Sequence, residues 1–139
     1  MLAAYGTVHL ADGIAVAHSS ATFTVTGVND APVVTTSAGT TASTEQVAVA
    51  IDAALTVADA DSANLASATI SITGGFQAAE DLLAFTNDGV TMGGITGSYN
   101  AVTGVLTLTG PATVAQFQAA MRAVTYKDTS DAPNTGNRT

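Results

Sequence analysis

Ala68-Thr69-Ile70-Ser71-Ile72-Thr73 is the stretch on which the fold turns. Apolar and hydroxylated residues alternate strictly along it. A period of two puts Ile70 and Ile72 on one face of an extended chain and Thr69, Ser71 and Thr73 on the other, as in a strand half buried in an antiparallel sheet. β-branched residues suit such a pleated, half-covered surface. The alternation recurs upstream in Ala21-Thr22-Phe23-Thr24-Val25-Thr26, where Phe23 and Val25 share a face. It recurs downstream in Val105-Leu106-Thr107-Leu108-Thr109, where Leu106 and Leu108 point inward. Shorter strands are predicted at Val47 to Ile51, Leu55 to Val57, Leu82 to Thr86 and Ala123 to Tyr126. Turn signals lie between them at Gly74-Gly75, Asn87-Asp88-Gly89, Gly93-Gly94 and Asn100 to Gly104. Roughly seven short strands at this spacing predict an all-β fold, an antiparallel β-sandwich of Greek-key type.

One segment departs from the period of two. Val114, Phe117, Met121 and Val124 follow a helical stripe, and Thr113 with Gln116 three residues later fits a capping box. The pattern predicts one short helix from about 113 to 122, with Pro111 just upstream and Arg122 near its negative C-terminal end. Its stripe is read as core facing.

A chain of 139 residues makes one domain of ordinary size. Hydrophobic residues are 47% of it, but aromatics only 5% and Trp is absent, so the core must be aliphatic with four Phe as its large fillers. Three basic residues against eleven acidic ones give a formal charge of −8. Such a surface repels nucleic-acid phosphates and anionic membranes and attracts cations. No apolar run approaches the roughly 20 residues that span a bilayer, so direct membrane insertion is not expected. There is no cysteine, so an extracellular chain of this kind needs something other than a disulfide to stiffen it.

Catalytic constellations are missing. His9 and His18 stand without suitably spaced partners and are read as solvated, and Lys127 is the only lysine. No nucleophile elbow, zinc-protease helix or phosphate loop is present. The chain is not expected to be an enzyme.

The carboxylates are more informative. Asp59-Ala60-Asp61-Ser62-Ala63-Asn64 places three oxygen ligands within a short loop after a strand, and calcium takes six to eight oxygens. A glycine at the sixth place and a Glu at the twelfth are both lacking, so the loop is not an EF-hand. Taken alone, a solvated turn in which Asp side chains cap backbone N–H groups explains it equally well. Val28-Asn29-Asp30-Ala31-Pro32 reads as a boundary, since Pro32 cannot join a ladder and Asn29-Asp30 favours a turn.

Together these stretches resemble the cadherin repeat. Glu45-Gln46 followed by Val49 and Ile51 resembles its opening Glu-Asn motif. Ala58 to Asn64, running into Ala68 to Ile72, resembles its Asp-x-Asp loop, and Val28 to Pro32 resembles its Asn-Asp-Asn-Ala-Pro linker. The second half departs from animal cadherins: no Asp-Arg-Glu motif is found. The ending Tyr126-Lys127-Asp128-Thr129-Ser130 with Gly136-Asn137-Arg138 is instead similar to cadherin-like repeats of giant bacterial tandem-repeat adhesins of the RTX type.

The resemblance implies an extracellular, secreted or cell-surface module in a tandem array, stiffened by calcium (Ca2+) between neighbouring repeats of the same chain. It implies Asn29 and Asp30 as linker ligands, Asp59, Asp61 and Asn64 as ligands from the following domain, and Glu45 at the opposite end serving the next junction. Asp128 and Asp131 are read as plain turn residues. Residues 1–30 are then the last strand and linker of a preceding repeat, and residues 31–139 a repeat that lacks its own last strand. The expected partners are neighbouring repeats and a cell-surface protein or glycan. The rival reading is a carbohydrate-binding β-sandwich module. It needs exposed aromatic rings, for which only Tyr5, Tyr99 and Tyr126 are available beside the few Phe.

Overall fold

The computed structural model describes the backbone of residues 2–11 and 16–139, with side chains from Thr24 onward. The readings of the His9, His18, Tyr5 and Phe23 side chains lie outside the described residues. The described residues form ten strands and one helix: β1 (Leu2–Ala11), β2 (Val16–Val25), β3 (Val33–Thr35), β4 (Val49–Ala50), β5 (Thr56–Ala58), β6 (Asn64–Ser71), β7 (Asp81–Ala84), β8 (Thr96–Asn100), β9 (Val105–Thr113), α1 (Val114–Arg122) and β10 (Thr125–Asp128). All ladders are antiparallel.

Two three-stranded sheets, β6-β9-β8 and β4-β10-β7, make an antiparallel β-sandwich, supplemented by the pair β3-β5. The chain crosses between layers from β6 to β7, from β7 to β8, and through α1 from β9 to β10. The inward face of β9 is as alternation predicts, with Leu106 and Leu108 both buried and Thr109 exposed. They meet Leu55, Val57, Leu83, Ile95, Phe117, Met121 and Val124 in one aliphatic core. Ile70 and Ile72 pack against that core but remain only partly covered.

The predicted helix is present as Val114–Arg122, and the capping box is complete: the Thr113 hydroxyl accepts the Gln116 N–H at 3.2 Å while Gln116 Oε1 accepts the Thr113 N–H at 2.9 Å. Arg122 does more than sit near the C-terminal end, since its Nε donates to the Leu55 carbonyl at 2.7 Å and ties α1 to the start of β5.

Three expectations need correction. Val25 is 60% exposed, because β2 pairs with β1, described in register from Leu2↔Val25 to Ala11↔Val16, and the core of the sandwich lies elsewhere. β1 and β8 were not foreseen. In β8 only Tyr99 is partly buried, so Thr96-Gly97-Ser98-Tyr99-Asn100 carries almost no alternation to read. Gly97 is needed there because a Cβ would run into the Phe85 ring.

The turns are where glycine and Asx signals placed them. Gly104 closes the β8–β9 hairpin at φ 68° with the Phe76 ring lying over it, and Asn100 Oδ1 accepts the Val102 and Thr103 N–H groups.

Candidate functional site

Strand pairing builds the site around Asn29-Asp30. β3 begins directly after Pro32 and pairs with β5 in the register Val33↔Ala58. Continued past the strand ends, that register sets Asp30 opposite Asp61. The side chain confirms the approach: Asp61 Oδ2 accepts the Asp30 backbone N–H at 3.0 Å. The Ser62 hydroxyl donates to Asn29 Oδ1 at 3.1 Å, and Asn29 Nδ2 donates to the Asp30 carbonyl at 2.9 Å. Ser62 was not singled out in the sequence; its position directly after an Asp-x-Asp pair was the available signal.

Asp59 is the inner carboxylate. Its Oδ1 accepts the N–H groups of Ser62 at 2.8 Å and Asp61 at 3.1 Å, which is the Asx-turn geometry of a capped loop. The Ser62 N–H chiefly, with the Asp61 N–H and against the opposing effect of burial, holds this carboxyl below its ordinary value. Its Oδ2 is shielded from solvent and has no hydrogen-bond partner. A carboxylate oxygen left in that state lacks the compensation that buried polar atoms normally find. Beside it lies a shallow depression lined by Asp30, Ala31, Val33, Ala58, Asp59 and Ala60.

Asn29, Asp30, Asp59 and Asp61 are thus brought together, whereas Asn64 and Glu45 are not part of the cluster. Asn64 opens β6 opposite Thr113 and is exposed, with no hydrogen bond from its side chain among the described residues. Glu45 is exposed at the far end of the sandwich. The neighbouring Gln46 N–H donates to the Asp128 carbonyl at 2.8 Å and its side-chain amide to Asp131. Among the described residues no group of three or more His, Asp or Glu side chains is arranged to hold a metal ion. Full coordination there would have to draw on amide, backbone or water oxygens as well as carboxylates.

That far end holds the polar cluster which the sequence reading missed. Asp81, whose side chain has no exposed surface, accepts Arg138 Nε through both oxygens at 2.9 and 2.8 Å, the Tyr126 hydroxyl at 2.7 Å and the Gln77 N–H at 2.7 Å. Arg138 also reaches Asp128 at 3.6 Å and Glu80 at 3.5 Å, and the carbonyls of Asn134 and Gly136. Asp128 is therefore a buried anchor rather than a plain turn residue; it accepts the Ser130 N–H as a turn residue would, but also faces Arg138. Burial first, and then the Asp81 carboxylate, push the Tyr126 hydroxyl well above its ordinary value. The Tyr99 hydroxyl donates to the Asp81 carbonyl at 2.8 Å. Tyr99 and Tyr126 thus both turn their polar ends into the protein.

A pH dependence follows. Asp59 and Asp52 are lowered mainly by N–H donors, from Ser62 and Ser37 respectively, and Asp88 mainly by the Thr91 hydroxyl. A carboxyl lowered on folding contributes stability that is complete above its unfolded value of about 3.9 and is lost as pH falls through the depressed folded value. The urea midpoint should therefore drop on acidification below about pH 4, and Asp59→Asn should show a smaller drop than the parent. Equal pH slopes for parent and variant would show that Asp59 does not contribute.

No protein-family model and no solved structure matches the chain. Over 122 residues it is 39% identical to Halomucin of Haloquadratum walsbyi. The match takes in 84% of this chain but 1% of Halomucin, so the chain is similar to one short stretch of a very much longer protein.

Proposed function

We propose that this chain is a non-catalytic structural module of a long secreted or cell-surface protein, with a linker stiffened by calcium, serving as a spacer or adhesive segment. The observation that carries the reading is the shielded, unpartnered Oδ2 of Asp59, in the loop whose Asp61 and Ser62 hold Asp30 and Asn29. Similarity to a short stretch of the very much longer Halomucin supports the setting in a long protein. The cadherin-like motifs and the acidic composition support the ion.

The chain's own groups already position the linker. The Asp30 N–H on Asp61 and the Ser62 hydroxyl on Asn29 fix its direction, while β3 pairs with β5 behind it. What these bonds leave unbalanced is charge, because Asp59 and Asp61 share one loop beside Asp30 and none of the three has a salt bridge among the described residues. A bound calcium ion would supply the positive charge, with Asp59 Oδ2 and an Asp61 oxygen as carboxylate ligands and linker oxygens completing the set. Locking the hinge between neighbouring repeats is then an electrostatic matter. Glu45, at the far end, would serve the junction with the next repeat, and a cell-surface protein or glycan is the proposed adhesive partner.

Calorimetric titration with calcium tests the reading. Binding at or weaker than about 10⁻⁴–10⁻³ M is expected, as for extracellular modules with few protein ligands. Asp59→Asn combined with Asp61→Asn should abolish the heat. Equal heats from variant and parent would sink the proposal.

A further inference from the structure

β5 has two edges, and strand pairing fills one of them. The Val57 N–H does not point to β3: it donates to Gln118 Oε1 of α1 at 3.0 Å. Main-chain groups two residues apart in an extended chain face the same side, so Leu55, just ahead of β5, turns toward α1 as well. Its carbonyl accepts Arg122 Nε at 2.7 Å. The main chain of Thr56 and Ala58 faces the other way, toward Thr35 and Val33 of β3. Two side chains of a helix thus stand where a further strand would pair.

Spacing makes this substitution possible. Gln118 and Arg122 are four residues apart, which advances about 6 Å along α1. Leu55 and Val57 are about 6.6 Å apart along an extended chain. A helix lying antiparallel to β5 can therefore present one acceptor and one donor in step with alternate main-chain groups. The apolar seat of α1 is made by other residues, Phe117, Ala120 and Met121. Both bonds to β5 are partly shielded from water. Holding two long side chains in this way costs rotamer freedom. What results is an edge on which the Val57 N–H and the Leu55 carbonyl are already taken.

We propose that Gln118 and Arg122 form an edge guard, an autoinhibitory contact that keeps β5 from pairing with a strand of a second copy of this chain. An open strand edge is a template for another chain, and natural sheets cover such edges with a helix or set charge beside them. α1 does both, since Arg122 brings a guanidinium to the edge. The guest that the guard excludes is an extended segment of the same composition as β5 itself. Alternating Thr and aliphatic residues recur along this chain, in Ala68 to Thr73 and in Val105 to Thr109, and such segments suit a ladder. Nothing in the guard requires an ion beside Asp59, so it stands or falls apart from the calcium reading.

Gln118→Leu combined with Arg122→Met keeps the apolar bulk of both side chains and removes the acceptor and the donor. In sedimentation over a dilution series, the variant's average mass should rise to at least about twice the parent's. Amide exchange at Val57 should quicken about tenfold or more in the dilute variant and slow again in the associated form. Gln118→Glu combined with Arg122→Lys restores an acceptor and a donor, and should return both readings to the parent's. Thr113→Ala weakens α1 at its cap without touching the edge. It should leave the mass unchanged, which separates loss of the guard from loss of stability. Should the double variant fail to fold, Gln118→Leu alone decides through the same two readings. The proposal is overturned if neither variant carrying Gln118→Leu associates beyond the parent, if Thr113→Ala associates as strongly, or if Val57 already exchanges freely in the parent.

Discussion

Phe117→Ala should lower the unfolding free energy by about 3–5 kcal/mol, as buried Phe truncations do. Phe117 has no exposed surface, and with Ala120, Met121 and Val124 it carries the packing of α1 onto the sandwich. Its ring rests against Gly110 of β9, where a Cβ would lie 3.0 Å from the ring edge. Removing the ring opens a space bounded by β-sheet backbone, which relaxes less readily than a loop, so the cavity contribution should stay large. The comparison is Thr113→Ala, which removes the N-cap hydroxyl but leaves the core intact and should cost about 1 kcal/mol. Urea unfolding of both variants separates the two contributions. A change under about 1 kcal/mol for Phe117→Ala would mean that the helix contributes little to the sandwich.

That contrast also marks what the sequence made legible. The helix could be read because its stripe and its cap are both local: Val114, Phe117 and Met121 lie on one face, and Thr113 and Gln116 are three residues apart. β9 could be read because Leu106 and Leu108 alternate with threonines that face outward. The cluster around Asn29-Asp30 was legible for a related reason, since β3, starting directly after Pro32 and pairing with β5, brings Asn29-Asp30 toward Asp59 and Asp61. Asn64 was drawn into the same cluster by its spacing alone, but strand β6 begins at that residue and carries it into the ladder opposite Thr113. β8 stayed hidden because Gly97 is small to make room for Phe85, a long-range reason that leaves no period in the local sequence. Asp81 was equally hidden. An Asp after Glu80 at a strand start reads as solvated, and only the return of residue 138 beside it makes burial tolerable.

Arg138→Met should therefore cost about 3–5 kcal/mol, the loss expected when one member of a buried ion pair is removed and the other stays. The Arg138 side chain is 12% exposed and the Asp81 side chain 0%, so water screens the pair weakly. Met keeps much of the apolar stem and isolates the loss of charge. In the variant, the Tyr126 hydroxyl and the Gln77 N–H still bond to Asp81, but the carboxylate has lost its nearest cation. Asp81→Asn in the Arg138→Met background should recover part of the loss, because the amide can still accept from Tyr126 or Gln77 without a buried charge. Urea unfolding of the single and double variants reads both outcomes. If Arg138→Met costs less than about 1 kcal/mol, the Arg138–Asp81 pair contributes little, and the segment around Arg138 is peripheral to the stability of the sandwich.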